Sequence, residues 1–133
     1  MFDETNKYKT KGHFFYKPGD DFAVVTKDVP SICGVYYIFR LAAGRIQLVH
    51  IGKSGSVFQN GAFESRPLFG ENYQKTQKFF EKKCKAEKID ALDIYWFVTM
   101  DKNHRDIPSY VEGLLMQKHF ELYGKLPLWN ESF

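Results

Sequence analysis

Two runs of β-branched and aromatic residues separated by a short break constrain this chain more than any other feature. Val35-Tyr36-Tyr37-Ile38-Phe39 and Ile46-Gln47-Leu48-Val49-His50-Ile51 flank Ala43-Gly44. Such side chains favour an extended backbone, and glycine permits the tight reversal between the runs. The pattern predicts a hairpin of two strands. A third strand is expected from Leu92 through Ile94-Tyr95-Trp96-Phe97-Val98, a short run of the same composition.

Two segments read as helices. From Tyr73 to Lys88, Phe80 and Cys84 fall on one side, while Lys75, Lys78, Lys82 and Lys85 follow spacings of three, four and three along another. After a loop over Asp101 to Arg105, Asp106 is expected to cap a helix with Pro108 in its first turn and Gly124 as its stop. Its buried stripe is read as Val111, Leu114, Leu115 and Leu122. The expected fold is α+β, a small three-stranded, mostly antiparallel sheet flanked by helices. Residues 1–133 read as one domain, with 1–33 a polar, aromatic-rich lead-in and 34–130 the core. The lead-in holds a turn at Pro18-Gly19-Asp20-Asp21 and an apolar run from Phe22 to Val25.

A length of 133 residues suits a single core, and 13 Phe, 8 Tyr and 2 Trp supply large side chains to fill it. The net charge of +3 gives weak support for a polyanionic partner, so any such argument has to rest on local clustering. Cys33 and Cys84 are far apart in sequence, with no second cysteine near a histidine, so neither a zinc site nor a disulfide framework is indicated. The apolar run Ile32 to Leu41 is too short to cross a bilayer and no signal peptide opens the sequence, so a soluble cytoplasmic protein is expected. Gly52-Lys53-Ser54-Gly55 lacks the spacing of a nucleotide-binding phosphate loop, and no nucleotide cofactor is expected.

Gly34-Val35-Tyr36, His50-Ile51-Gly52-Lys53-Ser54, Arg66, Glu112 and the ending Pro127-Leu128-Trp129-Asn130 together resemble the GIY-YIG nuclease superfamily, over Gly34 to Asn130. Each tripeptide alone is common, but five elements in the same order on the expected strands and helices form a rarer combination. Two departures stand out. His50 occupies the position usually held by tyrosine, and Arg66 lies further beyond Gly52 than is common, a longer segment similar to the restriction-enzyme branch. The resemblance implies a metal-dependent DNA endonuclease, with the arginine on the helix after the hairpin and a later-helix glutamate holding the metal.

Phosphodiester hydrolysis needs an activated water, charge stabilisation at the phosphoryl oxygens and help for the leaving oxygen. The resemblance assigns Glu112 to a divalent ion, Mg²⁺ or Mn²⁺. On its own, Glu112 reads as a solvated glutamate near a helix start, although Val111 and Leu115 put it at the margin of the buried stripe. Tyr36 and His50 both remain open as the base. A phenol needs cations such as Lys53 to lower its pKa, whereas imidazole titrates near neutrality unaided. Strand alternation separates Tyr36 from Tyr37, and the motif selects Tyr36 to face the cleft. Arg66 is assigned to the scissile phosphate and Asn130 to bracing the site; Gly34 and Gly52 read as positions where a Cβ would interfere. The lysines at 75, 78, 82 and 85 are candidates for backbone phosphates, though such a stripe is more commonly a solvated face. The competing readings are an inactive nucleic-acid-binding module of the same fold and a protein-interaction domain using the aromatic lead-in.

Overall fold

The computed structural model describes residues 2–133. Its central element is the expected hairpin, β2 (Gly34–Ala42) and β3 (Arg45–Ser54), paired antiparallel from Gly34 opposite Ser54 to Ala42 opposite Arg45. The turn residues Ala43 and Gly44 have φ of 52° and 72°. Two positive φ values in a two-residue turn match the right-handed twist of the flanking strands.

The sheet has four strands, one more than expected. The lead-in supplies β1 (Lys11–Tyr16), the segment Ser56–Val57 (β4) pairs with Phe63–Glu64 (β5) in a separate small ribbon, and β6 (Ala91–Val98) completes the main sheet. The order is β1-β6-β2-β3, antiparallel throughout. β1 carries little strand signal in the sequence because few of its residues are buried on either face. Lys11, His13 and Phe15 on one face are exposed, and only Tyr16 on the other is fully buried, so its alternation is faint.

Helices cover both faces. On one, α1 (Phe22–Val25) and α2 (Tyr73–Glu87) cover Tyr16, Ile38, Leu92 and Ile94 with Phe22, Phe80 and Cys84. Gln77 ties the lead-in to α2: its Oε1 accepts from the Phe22 N–H at 2.6 Å, and its Nε2 donates to Tyr16 Oη at 2.9 Å and the Asp20 carbonyl at 2.7 Å. Asn72 caps α2 by accepting from the Lys75 N–H at 3.1 Å. Both cysteines are buried and free.

On the other face, α3 (Pro108–Tyr123) sets Val111, Leu115 and Met116 against Val35, Tyr37, Leu48, Ile51 and Phe97. Gly124 ends it at φ 70°, as expected, but two other expectations fail. The position before the helix is Ile107, without a side-chain cap, while Asp106 accepts from Tyr8 Oη at 2.7 Å and pairs with Lys7 at 2.8 Å. The buried stripe is Val111, Leu115, Met116 and His119; Leu114 and Leu122 are 39% and 58% exposed. Apolar residues occupy both sides of α3, so periodicity alone does not select the inner one. Among the described residues no helix is long and apolar enough to cross a membrane.

Candidate active site

The site is built on the row Gly12, Trp96, Tyr36 and Gly52, one residue from each strand, all opposite one another on the α2 face. Glycine at both ends is what admits the two rings. A Cβ on Gly52 would lie 2.4 Å from Cζ and Oη of Tyr36, and one on Gly12 would lie 2.7 Å from the Trp96 indole. Both aromatic rings therefore lie over the neighbouring strand. Phe69, at φ 65°, closes over Tyr36 edge-on at 4.6 Å between centroids. Phe69 and Gly12 escaped the sequence reading because neither sits in a periodic pattern; only contact across the fold assigns them.

Tyr36 and Tyr37 fall on opposite faces, as alternation requires, yet both are buried, Tyr36 to 7% exposure. An open, cleft-facing phenol is thus corrected to a seated one. Its hydroxyl lies 3.5 Å from His50 Nε2, at the outer limit of a hydrogen bond. Burial pushes the phenol above its ordinary range and the Glu112 carboxylate adds to that rise, the reverse of what an activated phenol needs. His50 is depressed to about 4 by burial and is a neutral imidazole at pH 7. Of the two candidate bases, the imidazole has the lone pair available.

Glu112 is half-buried on the first turns of α3. Burial raises its carboxyl, and Lys53 opposes the rise. Lys53 is opposite Val35, on the other face of β3 from Gly52, so its charge acts on Glu112 and not on the phenol as expected. Among the described residues no three His, Cys, Asp or Glu side chains gather as a metal cage. One carboxylate fits a hard ion that keeps most of its waters, and it does not by itself make a zinc site.

Asn130 braces the hairpin from outside. β3 is an edge strand, and the Asn130 side chain accepts from the Ile51 N–H and donates to the Ile51 carbonyl, both at 3.0 Å. A register shift between Ile38 and Phe39 leaves Val49 unpaired with β2, and its carbonyl accepts the Trp129 N–H at 2.8 Å. The tail thus satisfies the edge between His50 and Gly52, where an open backbone would let both drift.

Arg66 does not sit on a helix. Its main chain forms an isolated bridge with Ile32 at 2.8 and 2.9 Å, and Ser54 Oγ donates to its carbonyl at 2.9 Å. These bonds hold it beside the start of β2 and the end of β3. Its guanidinium pairs with Glu64 at 2.7 Å, and both side chains are about half exposed. Such a surface pair contributes about 0–1 kcal/mol, so a phosphate can displace it. Lys75, Lys78, Lys82 and Lys85 lie exposed on α2, directed away from the buried residues that face the sheet. A cavity of about 450 Å³ lined by Arg45, Gln47, His119 and Leu128 contains none of the site residues. Arg45 is at the opposite end of β3 from Gly52, roughly 23 Å away at strand rise.

Comparison of the chain with family models, curated proteins and solved structures returns no match.

Desolvation of the partly buried His50 carries a stability consequence. The unfolded chain binds a proton near pH 6.5 and the folded chain only near 4, so stability is complete above that window and falls as pH drops through it. The raised carboxyl of Glu112 acts with the opposite sign, its protonation favouring the fold. The unfolding midpoint is expected to decline from pH 6.5 towards 4 in the parent and to flatten in His50→Gln. Thermal melts across that range check this, and equal slopes in both proteins would mean that the imidazole is not desolvated.

Proposed function

We propose that this chain is a divalent-metal-dependent DNA endonuclease that hydrolyses phosphodiester bonds in the GIY-YIG manner. The observation that carries the reading is the packing of the Tyr36 ring over Gly52 with its hydroxyl beside His50, across β2 and β3, with Asn130 bracing β3 from the tail and the Glu112 carboxylate of α3 near enough to act on the phenol. These are among the positions on which the sequence resemblance rests; Arg66, which belongs to the same set, lies apart from them on the bridge to Ile32.

In this reading the neutral His50 accepts a proton from the attacking water, and Tyr36 Oη, beside Nε2, orients that water. As the oxygen–phosphorus bond forms and the bond to the 3′ oxygen breaks, charge builds on the phosphoryl oxygens, where Arg66 donates paired N–H bonds. Glu112 would hold Mg²⁺ or Mn²⁺, which when bound supplies positive charge at the leaving oxygen. Lys53 limits the local negative charge beside Glu112. The leaving 3′ oxygen takes a proton from solvent water, and the products are a 5′ phosphate and a 3′ hydroxyl.

Incubation with supercoiled plasmid and with branched DNA, in Mg²⁺, in Mn²⁺ and in chelator, tests the proposal. Nicking is expected with either metal and is expected to stop in chelator. A second reading, a binding module of the same fold without catalysis, draws support from the raised phenol of Tyr36 and the engagement of Arg66 by Glu64. DNA binding with no nicking under any metal would select it.

Arg66→Ala is expected to lower the cleavage rate by about 10²-fold or more while changing DNA affinity by less than about tenfold, because its contact strengthens as charge develops. Single-turnover rates and binding isotherms measured side by side check the split. Parent-like turnover would move the phosphate grip to another residue.

A further inference from the structure

The sheet face opposite Tyr36 is covered by α3 over β2 and β3, but its β1 side remains open. Tyr37, Tyr95 and His13 share one row across β2, β6 and β1. Their rings stack: Tyr37 to Tyr95 at 5.6 Å and 22°, Tyr95 to His13 at 4.8 Å and 8°. The stack ends at the sheet edge on His13, whose side chain is 46% exposed. Asp93 Oδ1 lies 2.8 Å from His13 Nδ1 and sets the rotation of the ring. Phe15 stands edge-on to it at 5.6 Å and is 45% exposed. Beside them opens a cavity of about 320 Å³, lined by Phe2, Asn6, Lys11, His13 and Tyr95.

Charge specifies what continues this stack. Between Glu4 and Asp20 the chain carries Lys7, Lys9, Lys11 and Lys17 and no carboxylate. Asp106 engages Lys7, whereas Lys9, Lys11 and Lys17 are exposed and in no salt bridge among the described residues. The carboxylate beside the platform, Asp93, is taken up by His13. An open ring face calls for a planar group, and a row of free lysines calls for a polyanion; an unpaired base on a phosphate backbone is both. The same lysines discourage addition of a protein strand to the β1 edge.

We propose that His13 and Phe15 form a stacking platform for unpaired bases of a single-stranded nucleic acid, whose phosphates follow Lys9, Lys11 and Lys17. This platform shares a partner class with the proposed endonuclease and rests on none of its chemistry, lying on the opposite face from Tyr36.

Fluorescence anisotropy in chelator and low salt, with a labelled oligothymidylate of about ten nucleotides and a hairpin duplex, tests it. His13→Ala and Phe15→Ala are each expected to weaken binding of the single strand about 5-fold or more, with duplex binding moved less than about 2-fold. His13→Phe, which keeps a ring in place, is expected to retain binding and so separates stacking from loss of fold. No binding of the oligothymidylate by the parent, or equal affinities in parent and folded alanine variants, overturns the proposal. Because no metal is present and cleavage is not read, a chain that binds the single strand and never nicks plasmid keeps the platform and loses the endonuclease reading.

Discussion

Glu112→Gln is expected to abolish most cleavage, by about 10²-fold or more, while leaving the fold intact and DNA affinity unchanged or higher. Glutamine keeps the volume and nearly the helix propensity of glutamate but removes the charge that a hard divalent ion requires. The fold tolerates the change because burial already disfavours the ionised carboxyl, so a neutral amide relieves that cost. Affinity holds because a negative group close to the phosphates disappears. Rates with Mg²⁺, a melting curve and a binding isotherm on the same preparation check these outcomes. A folded variant that cuts at the parent rate would reduce Glu112 to a helix-end residue and leave the proposed metal site without its ligand.

Gly34→Ala is expected to have the largest effect on stability. A Cβ there would lie 1.9 Å from the Phe97 carbonyl oxygen and 3.0 Å from the Thr99 N–H nitrogen, both backbone atoms that no rotamer change can move. Relief requires β2 and β6 to separate at the Gly34 to Val98 pairing, the two central strands of the sheet. The loss should reach the upper end of overpacking effects, about 3 kcal/mol or more, lowering the melting midpoint by roughly 10 °C. Gly113→Ala provides the contrast. Its Cβ would meet only the Phe133 ring at 3.9 Å within α3, so that variant should be as stable as the parent or slightly more. Denaturant melts of both distinguish a glycine required by close approach from one that is merely present, and parent-like stability of Gly34→Ala would show that the two strands can part without loss.

What the sequence alone settled was local. The β2–β3 hairpin, β6, α2 and the Gly124 stop all followed from side-chain branching, periodicity and glycine, because each expresses a preference of a few adjacent residues. Gly34 and Gly52 were legible as positions intolerant of a Cβ, though not what the Cβ would strike. Tertiary structure decided the rest. It recruited β1 as a fourth strand, turned Asp106 from a helix cap into the partner of Tyr8 across 98 residues, and matched Asn130 to Ile51 across 79. It also seated Tyr36 under Phe69, raised its phenol where activation calls for lowering, and left Arg66 on a bridge outside any helix. These outcomes depend on which distant groups desolvate or bond one another. Such energies belong to pairs far apart in the chain, whereas a residue pattern records only the preferences of neighbours.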